Sequence, residues 1–206
     1  DQTGRPYAWS HSKGCNHWIY WDQIARFDFD NNSPYVTVHA LPSAGHDSLN
    51  EIYLEHILPL VLTTRGFEVI HASAIQSPGG VLAFAAFTGT GKSSTAYALH
   101  SRGFPIWADD AVVFQIERDE VISTPIPFSV RLFPDMLSSI ENSLFTGQAQ
   151  KNIDPYRFQE KLPLVGIYLL ERMETWNFQR PIQVTRLPLE TAFTRLLPHA
   201  YAFEQH

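Results

Sequence analysis

Apolar and polar residues alternate over much of the first forty positions of the chain. Residues 18–39 form two such runs, separated by the turn-forming stretch 31–34, and this pattern predicts a small antiparallel sheet. We interpret the sheet as a cover layer over a larger domain. The alternative is an aromatic surface that grips a peptide or a base. The pattern places a domain boundary after residue 46, between an amino-terminal β-rich cover segment (1–46) and the rest of the chain (47–206).

A helical pattern follows this boundary. Ser48 and Glu51 are spaced as a capping box, which predicts that a helix begins there. Gly66 is placed to end the helix in the left-handed conformation, and Pro59 should kink it on the way. A broad apolar face indicates that the helix is buried, and it comprises Ile52, Leu54, Ile57, Leu58, Val61 and Leu62.

Beyond residue 66, predicted strands outnumber predicted helices. The apolar runs predict strands at 67–75, 81–86, 105–108, 111–116, 121–126, 128–133 and 162–171. Helices are expected at 92–100, at 135–140 with Asp135 as its cap, and at 188–197. The order strand, helix, strand occurs around residue 92. The chain is therefore predicted to be an α/β protein with a mixed sheet.

Composition narrows the classes of partner and compartment. The 206 residues are 44% hydrophobic, which is enough for one cored domain with a small appendage. A net charge of −6 argues against a nucleic-acid or anionic-membrane partner. Cys15 is the single cysteine, so an intrachain disulfide and a thiolate metal cluster are both excluded. No apolar run has the length of a membrane span, and we expect a cytoplasmic protein.

A glycine-containing segment between a predicted strand and a predicted helix has the composition of a phosphate-binding loop. Its glycines let backbone N–H groups turn inward, and the amino end of the following helix adds partial positive charge. Lys92 can reach the β- and γ-phosphates, and Ser93 can offer its hydroxyl to Mg²⁺. Ala86 stands where the strict motif has its first glycine, which a negative φ would tolerate. The residues predicted to bind nucleotide are Thr88, Gly89, Thr90, Gly91, Lys92, Ser93 and Ser94.

Two carboxylates, Asp109 and Asp110, end the next predicted strand in the run IWADD. One short helix separates them from Lys92, and strands joined in this way are expected to be neighbours, so both should lie beside the loop. Side chains alternate along a strand, so one Asp would face a metal ion and the other an attacking hydroxyl. His71 lies on the strand expected to pair with the one that leads into the loop, where it could bind phosphate or tune an Asp. This set favours phosphoryl transfer.

These motifs, in this order, resemble the catalytic domain of HPr kinase/phosphorylase. The resemblance spans 68–114 and comprises HASAI (71–75), the strand 81–85, the loop through Ser93, and ADDAV (108–112). It implies a P-loop-containing mixed sheet, with 47–206 as a P-loop kinase-like catalytic domain, and it implies ATP and Mg²⁺ as cofactors. Weaker echoes lie at 125–132 and at 164–172. The first contains Arg131, a candidate phosphate or acceptor contact.

The same resemblance assigns a role to each candidate residue. Asp109 would be the base that acts on a seryl hydroxyl, with Lys92 and His71 as the other catalytic residues. Asp110 and Ser93 would hold the metal ion. The family includes ring-shaped assemblies, which implies a homo-oligomer.

The expected acceptor is inferred from shorter relatives in this kinase family, which phosphorylate the terminal serine of lasso-peptide precursors. The chain resembles that branch, which implies a peptide or small-protein acceptor with a serine hydroxyl. A kinase of a small-molecule hydroxyl is the nearest alternative. A nucleotide-binding sensor or scaffold without transfer is the second, and the unusual pair Ala86-Phe87 motivates it. A motor or transport ATPase is disfavoured, because no catalytic Glu is apparent near the acidic strand.

Overall fold

The computed structural model describes residues 7–128, 158–172 and 182–202, and it begins with a four-stranded antiparallel sheet. Its strands, in spatial and chain order, are β1 (Ala8–Lys13), β2 (Asn16–Trp21), β3 (Ala25–Asp30) and β4 (Val36–Ala40). Alternate residues of β3 are buried, as the period of a half-buried strand requires. The predicted amino-terminal sheet is thus confirmed, and β1 extends it beyond the run from which it was predicted.

A helical segment follows and packs on this sheet. It consists of α1 (His46–Ile52), a π-helical turn (Tyr53–Ile57) and α2 (Leu58–Thr64). Its apolar residues join those of β2 and β3 in one core cluster. The π-helical turn ends shortly before Pro59, whose ring and missing N–H disturb regular helical hydrogen bonding. The disturbance predicted at Pro59 is therefore seen as this π-helical turn.

The ends of this helical segment test two predictions. The capping box is wrong, because α1 begins earlier, at His46, with Gly45 as its N-cap and no side-chain cap hydrogen bond. The end at Gly66 is confirmed, with φ at 80°. There the Phe67 N–H donates to the Leu62 carbonyl at 3.1 Å, as in a Schellman motif. The division into two domains at residue 46 stays a prediction.

The second sheet has seven strands in the order β5-β9-β10-β11-β7-β6-β8. They are β5 (Glu68–Ile70), β6 (Ala72–Ser77), β7 (Gly80–Ala85), β8 (Ile106–Ala108), β9 (Val112–Glu117), β10 (Glu120–Thr124) and β11 (Leu162–Leu169). Two further helices are α3 (Lys92–His100) and α4 (Leu189–Leu196). Strand β11 is parallel to β7, and antiparallel pairs join the others, so the predicted mixed α/β fold is confirmed.

The prediction of one strand over 67–75 is wrong. The predicted strand is interrupted at His71, between the end of β5 and the start of β6. Strand β5 pairs with β9, whereas β6 pairs with β7 and β8 at the other end of the strand order. Two segments adjacent in sequence therefore lie near opposite ends of the sheet, and the sheet must curl to bring those ends together at His71.

The other predicted elements either lie in the described residues, where they can be compared with the structure, or lie outside them. Strands 81–86, 105–108, 111–116, 121–126 and 162–171 and helices 92–100 and 188–197 are confirmed, with ends shifted by a few residues. Residues 129–157 lie outside the described residues, and with them the helix predicted at 135–140, most of the strand predicted at 128–133, and Arg131. In the parts that the structure describes, no helix is long and apolar enough to cross a membrane.

Candidate functional site

Four chain segments converge on one edge of the seven-stranded sheet. Strand β6 is antiparallel to both β7 and β8, and β11 is parallel to β7, so β7, β8 and β11 run in one direction and end at this edge. The loop that follows β7 lies there, together with Asp109 and Asp110 after β8. His71 lies just before β6, which begins at the same edge.

This arrangement corrects one expectation about the crossover. Strands β7 and β8, which flank α3 in sequence, were expected to be neighbours, but β6 lies between them. The carboxylates still reach the loop because only one strand, β6, separates β7 from β8. Since β6 is antiparallel to both, β7 and β8 end at the same edge of the sheet. The expected closeness of loop and aspartates is therefore met by a different strand order.

The phosphate loop is a turn followed by an open helix end. The Thr90 N–H donates to the Phe87 carbonyl at 3.1 Å, and Gly89 and Gly91 have φ of 78° and 120°. Such values strain residues that have a side chain, which explains the two glycines. Gly91 is the N-cap of α3, and no side-chain hydrogen bond caps the helix there. The positive end of the helix therefore lies at the loop, as an anion-binding site requires.

Lys92 lies inside this loop rather than in solvent. Its residue is 6% exposed, and Nζ donates a hydrogen bond to the Ala86 carbonyl at 2.9 Å. Burial lowers the pKa of Lys92, although the nearby carboxylates of Asp110 and Asp109 act in the opposite direction. Ala86 itself has no positive φ, so a Cβ is tolerated where the strict motif has glycine.

Asp109 is the centre of a buried hydrogen-bond cluster. Its Oδ1 accepts from the Ser73 hydroxyl at 2.6 Å and from the Ser93 hydroxyl at 2.9 Å. The Asp110 N–H lies 3.2 Å from the same oxygen, and the Tyr97 hydroxyl lies 3.4 Å from Oδ2. Burial raises the pKa of Asp109, while the bond from Ser73 acts against that rise and the charge of Asp110 adds to it.

Asp110 occupies a different environment one residue later. Strand β8 has already ended, and Asp110 adopts a φ of 66°, which is uncommon for a residue with a side chain. Its carbonyl accepts a hydrogen bond from His71 Nδ1 at 3.0 Å, which requires a proton on that ring nitrogen. Asp110 is half-buried whereas Asp109 is buried, so the two residues differ in exposure. That one of them faces a metal ion and the other an acceptor hydroxyl stays a prediction.

The carboxyl-terminal segment forms another wall of the site, which the sequence did not indicate. The His199 carbonyl accepts from the His71 N–H at 2.6 Å, and the His199 ring lies 5.0 Å from that of Phe87. Burial lowers the pKa of His199, with Lys92 and His71 adding to the effect. Burial also raises the pKa of Tyr201 to about 12, and Asp110 and Glu55 reinforce this.

Arg172 is a second residue that sequence reasoning missed. It follows β11, and its Nη2 donates to the carbonyl of Gly89 in the phosphate loop at 2.6 Å. The available signal was its position just after an apolar strand, which is also where Asp109 occurs. Of the predicted nucleotide-binding residues, three are exposed: Thr88 and Gly89 in the loop, and Ser94 on α3.

The side chains present fit a magnesium nucleotide better than a metal held by protein alone. Within the described residues, no group of three His, Cys, Asp or Glu side chains could hold a metal ion. Ser93 and Asp109 offer two hard oxygen ligands beside the loop. Mg²⁺ usually takes one or two protein oxygens and completes its shell with phosphate and water. The donor set therefore matches the predicted Mg²⁺ and ATP.

Comparisons with known proteins find distant similarity among solved structures. No family model and no curated protein matches the chain. Among solved structures, the Hpr(Ser) kinase/phosphatase from Coxiella burnetii is similar at 16% identity with a TM-score of 0.33. The match covers 55% of this chain and 66% of that one. A similarity at this TM-score does not assign an activity.

Proposed function

We propose that this protein is a Mg²⁺- and ATP-dependent phosphotransferase that phosphorylates a serine hydroxyl of a peptide or small protein. The observation that carries the proposal is the hydrogen bond of 2.9 Å between Ser93, at the start of α3, and Asp109, after β8. It brings together a helix-terminal hydroxyl and a buried carboxylate directly beside Lys92. A phosphate cradle, metal ligands and a nearby carboxylate are what phosphoryl transfer requires.

Each residue has a task in this proposal. When bound, magnesium nucleotide supplies the transferable phosphoryl group and a metal charge that offsets the charge on the phosphates. Lys92 and the first-turn N–H groups of α3 hold the phosphates. Ser93 and Asp109 hold the metal ion, because they already share a hydrogen bond. Asp110, half-buried and not bonded to Ser93, receives the proton of the acceptor hydroxyl.

This assignment exchanges the roles that the family resemblance gave to the two aspartates. Asp109 is 5% exposed and accepts bonds from Ser73 and Ser93, so an acceptor hydroxyl would have to displace one of them to reach its Oδ1. Asp110 is more open to solvent. His71 holds the Asp110 backbone through its carbonyl, and we propose that this contact fixes the orientation of the carboxylate.

The acceptor class rests on the resemblance to short kinases of peptide precursors. A small-molecule hydroxyl is the competing acceptor. A nucleotide-binding sensor without transfer is the competing function, and the exposed Phe87, 69% accessible in the loop, favours it because a large apolar side chain there suits docking. Retention of Lys92, Ser93 and both aspartates favours catalysis.

Two variants test the proposal. Wild type, Asp109→Asn and Asp110→Asn are incubated with Mg²⁺ and γ-labelled ATP in an extract of the source cells, and ATP affinity is measured separately. We expect wild type to label a discrete peptide or protein. Asp110→Asn should lose transfer by roughly 100-fold or more while binding Mg²⁺-ATP normally. Asp109→Asn should lose both transfer and the Mg²⁺-dependent part of the ATP affinity.

Asp119→Asn is the matched control. Asp119 is exposed in the β9–β10 turn with a φ of 73°, a conformation that Asn also tolerates, so transfer should be unchanged. Labelling of a free metabolite instead of a protein would favour the small-molecule acceptor. Transfer that survives in Asp110→Asn but not in Asp109→Asn would restore the role of Asp109 as base.

A further inference from the structure

Arg172 is held at the mouth of the phosphate loop by the register of the sheet. Strand β11 runs parallel to β7, with Leu169 opposite Ala85, and the Leu170 N–H continues the ladder by donating to the Ala85 carbonyl at 2.9 Å. Both chains therefore leave the sheet at the same level. The β7 chain becomes the loop, and the β11 chain delivers Arg172 to the Gly89 carbonyl at 2.6 Å.

We propose that Arg172 is a phosphate-binding residue that contacts the terminal phosphate of a nucleoside triphosphate held in this loop. The inference rests on the proposed function, because it assumes that the loop binds such a nucleotide. The contact with Gly89 engages a neutral acceptor through one nitrogen of a guanidinium that carries five N–H donors. An anionic phosphate is a stronger acceptor than a neutral carbonyl, and guanidinium geometry suits two-point contact with it.

The surrounding charges support a second cation at this position. Lys92 is buried and already donates to the Ala86 carbonyl, and a single ammonium leaves much of a triphosphate's charge unmatched. Arg172 is exposed, so its side chain can turn from Gly89 toward a ligand with little rearrangement of packed neighbours. Among the described residues near the end of β11, Arg195 has a carboxylate partner, because it pairs with Glu171.

Nucleotide binding, rather than turnover, tests the inference. The affinities of wild type, Arg172→Gln and Arg172→Lys for ATP and for ADP are measured by calorimetry in the presence of Mg²⁺. Loss of a charge-assisted contact should weaken ATP binding by roughly 10- to 100-fold in Arg172→Gln. ADP lacks the terminal phosphate, and its affinity should change by less than about 3-fold. Arg172→Lys should recover part of the loss, since the charge remains but the fork does not.

Arg195→Gln is the control, because it removes a neighbouring arginine that faces Glu171 and not the loop. It should bind both nucleotides as wild type does. Equal weakening of ATP and ADP in Arg172→Gln, or no weakening of either, would overturn the assignment to the terminal phosphate while leaving the proposed function intact. A wild-type protein that binds neither nucleotide would overturn the proposed function and the role of Arg172 with it.

Discussion

Replacing Ser73 by alanine tests whether the Asp109 cluster is a structural element as well as a candidate site. Ser73 lies on β6 and is fully buried, with 0% exposure, and its hydroxyl donates to Asp109 Oδ1 at 2.6 Å. Alanine keeps the backbone pairing of β6 and removes a single oxygen atom. The Ser93 hydroxyl and the Asp110 N–H remain as donors to the carboxylate. The change therefore removes this short hydrogen bond to a buried carboxylate, together with a longer contact of 3.4 Å between the Ser73 and Ser93 hydroxyls.

The expected loss follows from the kind of bond removed. A hydrogen bond to a charged group contributes about 1.5–3 kcal/mol, against about 0.5–1.5 kcal/mol for a neutral pair. Water cannot replace the lost donor at a site with no exposure. For a chain of this length, that loss corresponds to a fall in melting temperature of about 3–12 °C. Ser73→Ala should fold, with a clearly lowered free energy of unfolding.

The direction in which this stability loss changes with pH can also be predicted. Burial raises the pKa of Asp109, and the Ser73 bond opposes that rise by favouring the charged carboxylate. Ser73→Ala should therefore raise the pKa of Asp109 further. A group whose folded pKa is raised loses its stabilising contribution as pH rises through that folded pKa. The difference in stability between wild type and Ser73→Ala should accordingly be smallest in acid and grow as the pH rises and Asp109 ionises.

Urea unfolding at pH 4, near the ordinary pKa of 3.8 for an Asp, and at pH 8 measures both effects. Ser77→Ala is the matched control, because Ser77 lies on the same strand and donates to the neutral carbonyl of Gly80 at 2.8 Å. It should cost about 0.5–1.5 kcal/mol at both pH values. The reasoning is refuted if Ser73→Ala costs no more than Ser77→Ala at pH 8, or if its cost does not grow with pH.

Two further predictions concern the packing around the site. Gly80→Ala should destabilise the protein by about 2–5 kcal/mol in urea unfolding, because φ is 133° and a Cβ would collide with the backbone carbonyl of Pro163. A Cβ at Gly79 in the same turn would meet open space, so Gly79→Ala should be nearly neutral. Equal costs of the two substitutions would contradict this explanation. Tyr201→Phe removes a group whose pKa is raised to about 12 by burial, so below pH 10 its contribution is complete and it is lost as the pH rises toward 12. Wild type should therefore lose about 1 kcal/mol more stability than Tyr201→Phe by pH 11, and parallel stability curves would show that the tyrosine titrates normally.

The sequence was most informative where one local pattern determines one element. Alternation in β2 and β3, the loop between β7 and α3, and the strand that ends at Asp109 each follow from neighbouring residues alone. The loop is the clearest case, since glycine, lysine and serine at fixed spacing have few other uses between a strand and a helix. These elements were predicted with small errors at their ends.

The features that the sequence could not show depend on contacts between residues that are distant in the chain. The run 67–75 is largely apolar, and nothing local reveals that the chain changes strand partners at His71. The roles of the two aspartates depend on the turn at Asp110, where a φ of 66° ends the alternation that a strand would impose. His199 belongs to no motif, and Arg172 only ends the weak family echo at 164–172. The strand order and the carboxyl-terminal packing bring both residues to the loop.

His71 shows why the site depends on the whole sheet rather than on the loop motif. Its N–H donates to the His199 carbonyl, and its ring donates to the Asp110 carbonyl, so one residue joins the carboxyl-terminal segment to the carboxylate turn. It also lies where the sheet curls from β5 to β6. The non-glycine φ at Asp110 costs about 1–3 kcal/mol and persists only where neighbouring contacts enforce it. The fold therefore stabilises a strained turn beside the phosphate loop, and a loop grafted alone onto another strand and helix would lack the carboxylate geometry that phosphoryl transfer needs.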